Sequence, residues 1–247
     1  MEFERKEIFR ALVGSHNYNL NTETSDYDYK VFIAPTFDDL YANERYSKSI
    51  IGEDMDLDIH DVRKVSHLWW KANVNFLEVL FSKEVYYGLT IKEETVELLD
   101  KIFAMRNDIA KMNLPYLYNA CVGMYFTKMR NLHKGTEGTK HLVKNFGYDT
   151  KQAVHSIRIL DFLQRFADSN FEDFEYAINY ENGDSFRNFL FEVKNGGYAI
   201  EKFLEIASDM YATVESEYRD KYLGIEPCKE TNQKLIEIVK QIVKNEL

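Results

Sequence analysis

Gly14-Ser15 is followed, after ten residues, by Asp26-Tyr27-Asp28. Apolar Ala11-Leu12-Val13 precedes the pair, and Lys30-Val31-Phe32-Ile33-Ala34 follows the acids. That layout predicts a short helix or strand, a tight turn, then a strand bearing two carboxylates on one side. Residues two apart on a strand share a face, so Asp26 and Asp28 point one way and Tyr27 and Tyr29 the other. Two carboxylates so placed suit a hard divalent cation, Mg2+ or Mn2+, which takes oxygen ligands and keeps phosphate oxygens in its shell. Gly14 would let the backbone approach a phosphate closely, and Ser15 offers N–H and O–H donors.

A second acidic pair follows. Met55 to His60 alternates, with Met55, Leu57 and Ile59 on one face and Asp56, Asp58 and His60 on the other. That period predicts a half-buried strand. Asp56 and Asp58 are both candidates for a third carboxylate, and both also fit the solvated face of an edge strand. His60 reads as a hydrogen-bonding neighbour, because Mg2+ prefers oxygen. A basic set comes later in the chain. Lys151, His155 and Arg158 are spaced i, i+4, i+7 and share a helical face, with Val154, Ile157 and Leu160 around the other side. The stripe either clamps a phosphate chain, with Arg158 forking two oxygens, or is an ordinary solvated face. Lys140 and Lys144 make a weaker pair. His67, His133 and His141 read as structural or surface residues, Trp69-Trp70 as core, and Glu78 as an anchor for a backbone turn.

The elements that must position these groups can be read in outline. Glu4 to Leu12 predicts a short amphipathic helix. Lys30 to Ala34 continues the acid-bearing strand, which Pro35 stops. Thr36 to Gly52 predicts a short helix and an irregular loop. Asp61 reads as a helix cap, and Val62 to Phe81 as a helix pair broken near Asn73-Val74-Asn75. Beyond Gly88 the pattern is helical throughout: Glu93–Ala110, Pro115–Asn131, Thr139–Asn145, Thr150–Phe166, Asp184–Val193, Ala199–Tyr222 and Glu230–Asn245. The expected fold class is α+β, with a small mixed-sheet domain over 1–95 and a helical domain over 96–247.

The order Gly-Ser, spacer, Ser25-Asp26-Tyr27-Asp28 resembles the nucleotidyltransferase signature of the DNA polymerase beta superfamily. The longer run Gly14-Ser15-His16-x-Tyr18-x-Leu20-x-Thr22-x-x-Ser25-Asp26-x-Asp28 is similar to the predicted nucleotidyltransferases of bacterial RNA-repair operons. Weaker likeness runs through Arg63-Lys64, Asn73 to Phe81, and Gly147 to Leu160. The resemblance implies metal-dependent transfer of a nucleoside monophosphate from a nucleoside triphosphate to an acceptor hydroxyl, with an RNA 3′ end among the acceptors. It implies that Gly14 and Ser15 hold the β- and γ-phosphates, and that Asp26, Asp28 and a third acid hold the metal. Its register, counted back from Arg63-Lys64, favours Asp56, while Asp58 stays open on chemistry alone. His16 and Tyr18 either contact the nucleotide or shape the turn. Lys151, His155 and Arg158 are expected to close over the triphosphate. A small-molecule or protein acceptor is the competing enzyme reading, and a non-catalytic nucleotide-binding regulatory module is the reading outside catalysis.

Composition bounds the partners. With 247 residues, 45% of them hydrophobic, the chain can bury a core. The formal net charge of −10 argues against an extended footprint on duplex DNA, which calls for a basic stripe. Cys121 and Cys228 lie far apart with no Cys-x-x-Cys, which argues against a structural zinc site or a disulfide framework and leaves two reduced thiols as the expectation. Met1 to Lys6 is charged and lacks an apolar signal core, and no apolar run has the length of a membrane span. The expected setting is soluble and cytoplasmic.

Overall fold

Strand β1 (Glu7–Val13) begins the sheet where a helix was expected. Glu4, the first residue of that expected helix, lies outside the described residues, which in this computed structural model are 5–247. Ile8, Ala11 and Leu12 have helical spacing, but the segment is paired on both sides, with β2 (Tyr27–Ile33) and β5 (Val85–Tyr87). Pairing on both edges overrides a local periodicity of seven residues.

Between them in chain order come α1 (Gly14–Tyr18) after β1, then, after β2, α2 (Phe37–Tyr41), β3 (Ser47–Ile50) and β4 (Met55–Asp61). Two short helices, α3 (Val65–Trp70) and α4 (Val74–Leu77), complete the run to β5, each joined to a 3-10 turn. Asp61 caps the first of these turns by accepting from Arg63 N–H, and Asn73 caps α4. The strand order is β3-β4-β2-β1-β5. β2 and β4 are parallel and the other neighbours antiparallel, so the sheet is mixed. β3 and β5 carry no readable alternation: one holds a single apolar residue, the other only three residues.

The rest is helical: α5 (Glu93–Ala104), α6 (Arg106–Lys111), α7 (Leu114–Asn131), α8 (Lys140–Phe146), α9 (Thr150–Asp168), α10 (Phe174–Ile178), α11 (Ser185–Lys194), α12 (Ile200–Thr213), α13 (Arg219–Leu223) and α14 (Lys229–Glu246). The class is α+β. A π turn over Val214–Tyr218 joins α12 to α13. The chain divides into two compact units, one running to Asn113 and taking up Pro227–Leu247, the other Leu114–Glu226. The C-terminal helix α14 therefore belongs with the sheet, where it packs on α3 and α5.

In the sheet unit, register puts Asp28, Lys30 and Phe32 of β2 on one face with Phe9, Ala11 and Val13 of β1 and Asp56, Asp58 and His60 of β4. Helices cover the far end of this face. Phe32 stacks on Phe9 at 4.6 Å, Phe103 of α5 meets Phe9 edge-on, and Phe76 of α4 meets His60. Val31, Ile33, Leu57 and Ile59 form a second cluster on the opposite face. In the helical unit α9 is the central element, packed by α7, α10, α11 and α12. No helix among the described residues is long and apolar enough to cross a membrane.

Candidate active site

The site is built from the end of β1 and the starts of β2 and β4. Val13 pairs with Asp28, so the chain leaves β1 beside the first acid of β2. Gly14 follows with φ +73°, in the left-handed region that side chains disfavour. A Cβ there would stand 2.6 Å from Asp28 Oδ2. The missing side chain thus makes room for the Asp28 carboxylate. The Gly14 N–H is fixed from below, donating to Oε2 of buried Glu78 at 3.1 Å. This is the backbone anchor expected of Glu78.

α1 carries Ser15, His16 and Tyr18. Ser15 is half-buried, and its carbonyl accepts from Leu20 N–H at 2.8 Å. Asn19 ends α1 in the left-handed conformation with φ +60°. Tyr18 is a core residue behind the turn. His16 reaches across to the acid-bearing loop: its ring stacks on Tyr27 at 4.1 Å, and its Nε2 lies 3.0 Å from the carbonyl oxygen of Ser25. A Thr22–Ser25 turn, closed by Ser25 N–H to the Thr22 carbonyl at 3.0 Å, leads the chain into Asp26.

Asp28 and Asp56 are direct partners on the parallel strands β2 and β4. Neighbouring strands lie about 4.8 Å apart, so two carboxylates leave the sheet side by side. Both are half-buried, and Asp26, just before β2, is exposed. Asp56 Oδ1 accepts from Gly52 N–H at 3.2 Å. Among the described residues no three acidic, histidine or cysteine side chains are gathered tightly enough to hold a metal ion. The paired Asp28 and Asp56 offer carboxylate oxygens, the kind of ligand that Mg2+ or Mn2+ takes.

Asp58 is engaged differently. Its Oδ2 accepts from Lys30 Nζ at 2.8 Å and lies 2.9 Å from His60 Nε2, and its Oδ1 accepts from Ser49 Oγ at 3.3 Å. Burial raises its pKa, but the His60 and Lys30 contacts outweigh this and hold the carboxyl well below the usual range. Lys30 is itself buried, with Nζ 4.5 Å above the Phe76 ring. Sequence reading does not single out Lys30, although its position two residues after Asp28 puts it on the same face. A cleft of about 990 Å³ lined by Arg10, Tyr29, Met55 and Tyr86 opens on the opposite face of the sheet from the acids.

The basic residues of α9 lie in the other unit. Lys151 is exposed, His155 half-buried, and Arg158 only 2% exposed. The shared face is thus not a plain solvated one: it descends into the helical layer, because α9 is packed on several sides. Lys140 and Lys144 on α8, and His67, His133 and His141, are exposed.

With this geometry in place, comparison with known proteins decides the family. Residues 2–169 match RlaP, described as the RNA repair pathway DNA polymerase beta family. The chain belongs to that family. The match takes in the Gly-Ser turn, both acidic pairs and the Lys151–Arg158 stripe. Family and fold point to a nucleotidyltransferase of the DNA polymerase beta type. No curated protein matches the sequence. Among solved structures, the chain matches a nucleotidyltransferase-like protein from Exiguobacterium sibiricum 255-15 at 10% identity, covering 98% of this chain and 70% of the other, with a TM-score of 0.29.

Proposed function

We propose that this chain moves a nucleoside monophosphate from a nucleoside triphosphate to an acceptor hydroxyl, an RNA 3′ end being the acceptor that the family's RNA-repair description favours. The observation that carries the reading is the register of Asp28 with Asp56, next to the left-handed Gly14 that leaves space for the Asp28 carboxylate. Asp26, Asp28 and Asp56 would hold Mg2+ or Mn2+. The bound cation would neutralise the charge that builds on the phosphoryl oxygens during transfer.

The protein's own groups account for the rest. Gly14 and Ser15 would receive the outer phosphates, Ser15 through its N–H and hydroxyl. His16 holds the Ser25 carbonyl and the Tyr27 ring, and so positions the loop that delivers Asp26. One carboxylate of the set would take the proton of the acceptor hydroxyl. The acceptor oxygen bonds to the α-phosphorus as the bond to pyrophosphate breaks. Asp58, tied to Lys30 and His60, supports the strand and is the weaker choice for third acid. Lys151, His155 and Arg158 are the phosphate-contacting candidates of the helical unit.

The test is incubation with each α-labelled nucleoside triphosphate, Mg2+ or Mn2+, and pools of RNA, protein and small molecules. Label on RNA that Asp28→Asn abolishes supports the reading. Label on protein or a small molecule moves the acceptor. No label in any pool, with ATP still bound, leaves a nucleotide-binding module and removes the transfer reading.

A further inference from the structure

The sheet face turned away from the acids is aromatic at the end nearest them. Register puts Tyr29 of β2 level with Leu12 of β1, and Tyr86 of β5 level with Arg10, two residues away on the same side of β1. Tyr27 precedes Tyr29 by two residues and is level with Met55 of β4. Tyr27 is 45% exposed, Tyr86 50% and Met55 43%, and Tyr29 is half-buried. Arg10, Tyr29, Met55 and Tyr86 all line the cleft of about 990 Å³.

These rings are held. The hydroxyls of Tyr29 and Tyr86 both donate to Glu84 Oε2, at 3.2 and 2.8 Å, and the ring centroids are 6.4 Å apart. Along β2, Tyr27 and Tyr29 are separated by about 6.8 Å of backbone, two residues of roughly 3.4 Å each. Both steps are close to twice the ~3.4 Å rise between successive bases of one strand, so each ring can take its own base. The Tyr27 ring already stacks on His16 at 4.1 Å, which leaves its other face and its edge to account for its exposure.

The charges around the rings narrow what could lie on them. Arg10 is held by both carboxylate oxygens of Glu7, at 2.6 and 2.7 Å, and Glu84 adds negative charge between the tyrosines. A ligand gripped by its phosphates gains little there. Flat, uncharged rings gain the stacking surface, and the unpaired bases of a single strand are such rings. The row of tyrosines also runs to the candidate active site, because Tyr27 stands between Asp26 and Asp28 in the chain.

We propose that Tyr27, Tyr29 and Tyr86 form a stacking surface for the unpaired bases of an acceptor RNA. The strand lies on the face opposite the acids and turns over the start of β2, which brings its 3′ hydroxyl to Asp28 and Asp56. This assignment rests on the nucleotidyl-transfer reading and adds to it the path of the acceptor.

The test measures anisotropy of a labelled single-stranded RNA of about ten nucleotides, within the usual length for such surfaces, and of the same sequence as a duplex. EDTA is present, so that metal at the carboxylates contributes nothing. The single strand is expected to bind more tightly than the duplex and with a shallow salt dependence, because few phosphates are engaged. Tyr86→Leu keeps an apolar side chain at an exposed edge-strand position but removes the flat ring. It is expected to lose about fivefold to a hundredfold in RNA affinity, the scale of one base stacked on one ring. Tyr86→Phe keeps the ring and loses the bond to Glu84, and should bind as wild type does. Circular dichroism checks that both variants fold. In transfer assays Tyr86→Leu should raise KM for RNA more than it lowers kcat, with ATP affinity unchanged.

Equal binding of duplex and single strand, a steep salt dependence, or wild-type RNA affinity in Tyr86→Leu overturns the proposal. A wild-type dimer that Tyr86→Leu makes monomeric, with no RNA bound, gives the face to a second copy of the chain and overturns it as well. Asp28→Asn separates this surface from the chemistry. If that variant still transfers label while Tyr86→Leu loses RNA, the carboxylate reading fails and the stacking surface stands. If Asp28→Asn abolishes transfer while Tyr86→Leu binds RNA as wild type does, the chemistry stands and the surface fails.

Discussion

The Asp28 carboxylate occupies the space that a side chain on Gly14 would need, with Oδ2 2.6 Å from the position of a Cβ. The turn and the acid are therefore one device. Gly14→Ala would force Asp28 to move and would place alanine at φ +73°. A left-handed alanine costs about 1–2 kcal/mol. Gly14→Ala is expected to lower the melting temperature modestly and to abolish transfer. Wild-type activity in a folded Gly14→Ala would show that the position of Asp28 is immaterial.

Glu78 holds the same turn from the other side, through the Gly14 N–H. Glu78→Ala leaves that partly buried donor without this acceptor, a loss of about 1–3 kcal/mol. Glu78→Gln keeps a carbonyl oxygen in place and should retain most stability and activity. Denaturant titration and transfer rates on both variants decide the matter. Equal loss in the two would mean that the charge of Glu78, and not its acceptor oxygen, is what counts.

Asp56 and Asp58 share a strand face but should fail in opposite ways. Asp56, level with Asp28, is expected to cost about 100-fold or more in transfer rate as Asp56→Ala, with a small effect on stability. Asp58→Asn removes the counter-charge of buried Lys30. The Asp58 side chain is 38% exposed, so water screens the loss, which should be about 1 kcal/mol with only a secondary effect on rate. Rate and unfolding measurements on both variants test the pair. The reverse ranking would make Asp58 the third acid.

How much of this was legible depended on which faces are buried. β4 could be read because one face is apolar throughout, Leu57 and Ile59 lying under one side while Asp56 and Asp58 take the other. β1 could not, because its apolar residues face packing on both sides and their spacing mimics a helix. β3 and β5 are made strands by their neighbours, since Ser47–Ile50 and Val85–Tyr87 hold too little pattern of their own. The spacing of Lys151, His155 and Arg158 places them along α9, yet periodicity cannot say that Arg158 is buried. The candidate acids were visible because Asp26 and Asp28 lie two apart and Asp56 and Asp58 fall on a regular alternation; Glu78 was harder, because it meets Gly14 across 64 residues. The return of α14 to the sheet unit had no sequence signal, since it depends on contacts over more than 150 residues.

Those contacts centre on Glu246, whose side chain is fully buried. It accepts from Lys6 Nζ at 2.8 Å, Lys92 N–H at 2.9 Å and Thr95 Oγ1 at 2.5 Å. Burial alone would raise its pKa, but these three donors outweigh it and lower the carboxyl below its ordinary value of 4.5. The folded state therefore binds the proton less readily than the unfolded state. The resulting stabilisation is fully present above pH 4.5 and is lost as pH falls through the folded value. Glu246→Gln keeps the shape and one acceptor but removes the charge, so at pH 7 it should cost about 1.5–3 kcal/mol, the range for hydrogen bonds to charged groups. Wild type and variant should converge as acid protonates Glu246 in the native protein. Urea unfolding of both at a series of pH values between neutral and acid measures the gap. A gap that stays constant into acid would show that Glu246 holds α14 by packing and not by its charge.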